Sequence, residues 1–83
     1  MDNFENRLVR CFSSVFPDLT DEQIRHASVD SVAEWNSLAA ITLVALLQEE
    51  FALQVSLADL PNLVSFSAVQ TYVRQHNNNH GPS

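Results

Sequence analysis

Lysine is absent from this chain, and four arginines face ten acidic residues, for a net charge of −6. An excess of that sign excludes binding to nucleic acid or an anionic membrane by charge, and favours basic partners instead. A single glycine rules out a glycine-rich phosphate loop. A single cysteine, Cys11, rules out an internal disulfide framework and fits a reducing compartment. No apolar run is long or uninterrupted enough to span a bilayer, and Met1 to Asn6 is acidic where a signal peptide would be basic, so a cytoplasmic protein with no membrane insertion is expected. Catalytic groups are equally scarce. His26, His76 and His80 are scattered, and no His/Cys/Asp set has metal-ligand spacing. Glu49 and Glu50 are helix neighbours that point apart and cannot act as a paired acid and base; they read as solvated or partner-facing charges. Cys11 falls on an apolar helix face, where a buried thiol acts as a small hydrophobe. Neither an enzyme nor a metal protein is indicated.

What is present is a helical pattern. Eighty-three residues make one domain with a modest core, too small for a core plus a deep cleft. Phe4, Leu8, Cys11, Phe12 and Val15 recur at helical spacing, which predicts a first helix over Asp2 to Phe16, stopped by Pro17. Thr20-Asp21-Glu22-Gln23 has the form of a capping box and predicts one helical turn through Ile24 to Ala27. A long connection from Ser28 to Asn36 carries Val29, Val32 and Trp35, whose apolar side chains are expected to pin it to the bundle. A central helix is predicted over Ser37 to Phe51, with a turn at Ala52. Ser56 is expected to cap a short helix through Leu60 that Pro61 ends, and Ser65 to cap a last helix to Gln75 with Phe66, Val69, Tyr72 and Val73. The folded domain is thus residues 1–75, and residues 76–83, with no apolar side chain to bury, are expected to form a disordered tail without assigned function.

The central helix carries the most information. Projected at about 100° per residue, it puts Ala40, Leu43, Val44, Leu46, Leu47 and Phe51 on one broad arc for burial. The opposite arc holds Ser37, Thr42, Gln48 and Glu49, together with Leu38, Ile41 and Ala45, which a helix packing only its own core has little reason to expose. A partner surface of Leu38, Ile41, Thr42, Ala45, Gln48 and Glu49 around Ser37 explains that arc. Ser37 stands at the helix N-terminus, where free N–H groups and a partial positive charge suit an anion. Asn36 just before it is a favourable N-cap that leaves the serine hydroxyl pointing outward, although serine caps well too and either assignment is open.

Trp35-Asn36-Ser37-Leu38, followed by Leu43-Val44, Leu47 and Gln48-Glu49-Glu50-Phe51, resembles the acyl carrier protein signature, an Asp-Ser-Leu motif leading into a helix that ends Glu-Glu-Phe. The resemblance covers most of the chain, continuing through Leu53, Val55 and Leu57 to Leu60 into the last helix. It implies an all-α four-helix bundle of acyl-carrier type, with three longer helices, one short one, and a long loop between the first two. It implies that residues 1–75 form an acyl carrier domain whose Ser37 receives phosphopantetheine from coenzyme A, the terminal thiol then carrying acyl or aminoacyl groups as thioesters. The partners implied are a phosphopantetheinyl transferase, an acyl- or aminoacyl-loading ligase, a ketosynthase and other acyl-processing enzymes, acting on a freestanding monomer. Asn36, Thr42 and Gln48 stand where carriers of ordinary fatty acid synthesis usually have acidic residues, and Ala52 where carriers often have glycine. The less charged arc points to a specialised fatty acid, polyketide or nonribosomal peptide pathway, with partner binding by surface contact. A carrier-like module that is never modified and only binds protein, or an unrelated helical adaptor, would share much of this pattern.

Overall fold

The computed structural model describes residues 3–78, and they form a small all-α bundle. Helix α1 spans Asn3–Val15, and its buried face of Leu8, Val9, Cys11 and Phe12 follows the helical spacing. It gives way just before Pro17, which lacks the N–H needed to continue the ladder. Helix α2, Asp21–Arg25, is a single turn that would not persist in isolation. A complete capping box opens it: the Gln23 N–H donates to Thr20 Oγ1 at 3.1 Å, and the Thr20 N–H donates to Gln23 Oε1 at 2.9 Å. Fully buried Ile24 and an Arg25–Glu5 ion pair at 3.2 Å anchor it to α1.

The connection from α2 to the next helix is held at both ends, though not by all the side chains expected. Val32 and Trp35 are buried, whereas Val29 is 38% exposed. Val29 contributes its backbone instead: its N–H donates to the Val64 carbonyl at 2.9 Å, and the Phe66 N–H donates to Ala27 at 3.0 Å, with Ser28 and Ser65 paired as an isolated antiparallel bridge. The bridge at Ser28 and the turn Val29 enters, closed by the Ser31 and Val32 N–H groups on the Ser28 carbonyl, satisfy its backbone and leave its side chain outside the core.

Helix α3 runs Ser37–Phe51 and buries Leu43, Val44, Leu47 and Phe51; Ala40 and Leu46 are only half-buried, at the flank of the face. It ends on Ala52 in the left-handed region, φ 53° and ψ 48°, the conformation a helix C-terminus calls for and one that favours glycine. A 3-10 helix follows over Leu57–Asn62, opened by Ser56, whose Oγ accepts from the Ala58 N–H at 3.2 Å. Pro61 lies inside this helix rather than ending it. The Leu63 N–H donates to the Leu60 carbonyl at 3.0 Å, which makes Pro61 the second residue of a tight turn, where its fixed φ fits and its missing N–H costs nothing.

Helix α4, Phe66–Asn78, is capped by Ser65, whose Oγ accepts from the Ala68 N–H at 3.1 Å. It continues past Gln75, through the first residues of the segment expected to be a disordered tail. His76 stacks on Tyr72 one turn earlier, ring centroids 4.0 Å apart, and a histidine in the last turn suits the negative end of the helix. Residues 79–83 of that segment, His80 among them, lie outside the described residues.

Phe12 is the centre of the core. Its ring meets Trp35 edge-on at 5.5 Å and Phe66 at 5.0 Å, and Phe16 lies 5.7 Å from Trp35. Leu8, Phe12, Ile24, Leu47, Val69 and Val73 are fully buried, each contributing roughly 1.5–3 kcal/mol by removal from water. Helices α1 and α3 run antiparallel: Arg7 pairs with Glu50, the Cys11 thiol points at the Leu46 carbonyl, and Phe16 touches Trp35 just before α3 begins. The end of α1 therefore lies at the start of α3. Among the described residues no helix is long and apolar enough to cross a membrane.

Candidate functional site

The start of α3 settles which neighbour caps and which is free. Asn36 is the N-cap, in extended backbone, and its Oδ1 accepts from the Ala39 N–H at 3.0 Å while its carbonyl accepts from Ala40 at 2.9 Å. Its own N–H donates to the Glu34 carbonyl at 2.9 Å, which fixes the entry angle behind buried Trp35. Ser37 is consequently the first helical residue. It is exposed, and its hydroxyl makes no hydrogen bond within the described residues. The N–H groups of Ser37 and Leu38 also have no acceptor among the described residues, as expected for the orphan donors of a first turn. A nucleophile-sized oxygen thus sits beside two unspent amides at the positive end of a fifteen-residue helix.

Apolar side chains flank it. Leu38 is 73% exposed and Ile41 51%, with Ala45 exposed one turn further on. Thr42 and Glu49 complete the outer arc, but the Thr42 hydroxyl donates to the Leu38 carbonyl at 3.0 Å and is partly spent on its own helix. Gln48 departs from expectation. Its side chain is half-buried and turned back, Oε1 accepting from the Val55 N–H at 2.9 Å, so it secures the turn after α3 instead of facing a partner. Glu50 is likewise occupied at the surface, 2.7 Å from Arg7, whose guanidinium also lies over the Phe51 ring.

Two titrating groups are displaced from their usual range. The Cys11 thiol is pushed up to about 11, first by burial and then by the Glu50 carboxylate, with Arg7 acting in the opposite direction. It stays protonated at neutral pH and is a poor nucleophile. The Tyr72 phenol is raised by burial and by the hydrogen bond it donates to Asp59 at 2.6 Å, which ties the 3-10 helix to α4. That bond, like Gln48 to Val55, joins residues too far apart in the chain for any local pattern to show. Among the described residues no group of three or more His, Cys, Asp or Glu could hold a metal ion.

Compared with protein-family models, curated proteins and solved structures, the chain matches none.

Proposed function

We propose that the protein is a carrier of the acyl carrier type, holding acyl or aminoacyl intermediates on a phosphopantetheine arm attached to Ser37 and serving a specialised fatty acid, polyketide or nonribosomal peptide pathway. The observation that carries this reading is the Ser37 hydroxyl: exposed, without a hydrogen bond among the described residues, and first in its helix. When attached, the arm supplies a terminal thiol on which a carboxylic acid is held as an activated thioester. Ser37 must give up its proton to a base on the transferase as its oxygen bonds to the phosphorus of coenzyme A and the adenosine bisphosphate leaves. The Ser37 and Leu38 amides and the helix dipole favour the phosphodiester anion that results. Asn36 holds the turn so that the serine faces outward, a task its capping bond to Ala39 performs without a carboxylate.

Leu38, Ile41 and Ala45 supply the surface on which transferase, loading ligase and ketosynthase would alternate, with Thr42 and Glu49 at its margin. Tethering keeps the cargo at high effective concentration near each enzyme in turn. The chain presents cargo and performs no chemistry of its own, and a reducing cytoplasm is where Cys11 stays a thiol.

The test is intact mass after incubation with coenzyme A and a broad-specificity phosphopantetheinyl transferase. One added arm, absent in Ser37→Ala, is the expected result. No mass change with several transferases refutes the carrier reading and leaves a carrier-like module that only binds protein.

A further inference from the structure

Hollows at the middle and at the end of α1 differ in position and chemistry. The larger, about 340 Å³, is lined by Arg10, Cys11, Ser14, Leu46, Glu49 and Glu50. It lies far along α3, since Ser37 to Leu46 is roughly 13 Å of helix at 1.5 Å per residue, and its lining carries charges of both signs. The smaller, about 130 Å³, is formed by Val15, Phe16, Pro17, Asp18 and Leu19 at the end of α1 together with Glu34. Glu34 precedes Ser37 by three residues, so their Cα atoms are at most about 11 Å apart. The antiparallel course of α1 and α3 brings this hollow to the serine's end of the bundle.

We infer that this smaller hollow receives the free end of a short aminoacyl cargo carried on Ser37, with the cargo's side chain against Val15, Phe16 and Leu19 and its ammonium beside Asp18 and Glu34. The inference rests on the carrier reading and adds to it the class of cargo. Three features select that class. The floor is apolar, contributed by buried Phe16 and half-buried Val15 and Leu19. The rim carries two exposed carboxylates, neither in an ion pair within the described residues, and no basic group lines the hollow. A carboxyacyl cargo is repelled there and a cationic one attracted. The space, about 130 Å³, is close to the roughly 150 Å³ of an apolar cavity that holds one benzene, which suits a single branched side chain.

The test loads 15N-labelled protein, through the transferase, with three arms ending in hydrolysis-resistant amides: leucyl with a free amine, N-acetyl-leucyl, and 4-methylpentanoyl. Backbone amide shifts are read against the bare arm. The leucyl arm is expected to move Val15, Phe16, Asp18, Leu19 and Glu34, with shifts roughly fivefold smaller for the two uncharged arms, the effect of one or two exposed charge pairs. In Asp18→Asn/Glu34→Gln, both positions being exposed and the fold checked by an unchanged helical melt, the leucyl arm should drop to the uncharged level. Equal shifts from all three arms, shifts at Leu43, Leu47 and Val69 in the bundle interior, or none beyond the neighbours of Ser37 overturn the inference while leaving the carrier reading intact. Failure of every arm, the bare one included, to attach with several transferases, seen as unchanged mass, overturns both.

Discussion

Raising the pH isolates two side chains in this protein as it would in few others. The chain has no lysine, one cysteine and one tyrosine, so between about pH 9 and 11 Cys11 and Tyr72 are the side chains that titrate. Cys11 has its pKa lifted from 9.0 to about 11 by burial and by Glu50. A thiol that holds its proton more tightly when folded lets the unfolded chain ionise first. Its contribution is therefore complete below about pH 9 and is lost as the pH rises through 11. For a shift of that size the loss is about 1.4 kcal/mol by pH 10 and roughly 2 kcal/mol by pH 11, at 1.36 kcal/mol per pKa unit. Tyr72 is shifted in the same direction and adds to the fall above about pH 10. Urea unfolding followed by the fluorescence of Trp35, the one tryptophan and only 5% exposed, measures the curve. Cys11→Ala carries a constant offset at neutral pH but should flatten most of the decline between about pH 9 and 11, and Tyr72→Phe should flatten the part that Tyr72 adds above about pH 10. Parallel curves for the wild type and Cys11→Ala refute the reasoning, because the thiol would then titrate alike in both states.

Other expectations follow from single contacts. Asn36→Ala removes the acceptor for the Ala39 N–H and should cost about 1 kcal/mol, a Tm lower by roughly 4–8 °C in differential scanning fluorimetry, with slower arm attachment as the first turn frays. Ala52→Gly relieves a left-handed alanine and should raise stability by about 0.5–1 kcal/mol in urea titration; a loss there would mean that the alanine methyl is needed for packing. Trp35→Ala opens a void beside Phe12 and Phe16 and should cost about 3–5 kcal/mol, enough to leave much of the chain unfolded by circular dichroism at 37 °C.

The helix starts were legible because capping is local chemistry. Thr20, Asn36, Ser56 and Ser65 each accept from an amide two or three residues on, well inside the span a sequence pattern covers. The core was legible for the same reason, since Leu43, Val44, Leu47 and Phe51 repeat at the helix's own period. Val29, Pro61 and Gln48 show where that reach ends. Val29 reads as a core side chain until the pairing of residues 27–29 with 64–66 places its backbone, and that pairing joins segments nearly half the chain apart. Pro61 reads as a stop only if the helix it meets is α; in two tight turns it is a favourable residue. Gln48 reads as solvent-facing because period assigns a face, whereas a long amide side chain can fold back along the helix to an unsatisfied N–H that the left-handed turn at Ala52 has just created.

The Gln48 result bears on how partners would recognise this molecule. With Gln48 committed to Val55, the Thr42 hydroxyl to Leu38 and Glu50 to Arg7, Glu49 is the one charge left on the outer arc of α3, a full three turns from Ser37. On α3 beside the serine the exposed groups are Leu38, Ile41, Thr42 and Ala45, while off the helix Asp18 and Glu34 put two exposed carboxylates at the same end of the bundle. Steering by charge needs several like groups within about a Debye length, some 8–10 Å at physiological salt. Asp18 and Glu34 are only two, and Glu49 lies roughly 18 Å along the helix axis, so the condition is not met. Affinity on this face must then come from burying Leu38 and Ile41, and association with a transferase should change little between low and moderate salt while falling sharply in Leu38→Ser or Ile41→Ser. A steep salt dependence with indifference to those two substitutions would place the partner on another face, with the serine reached from the side.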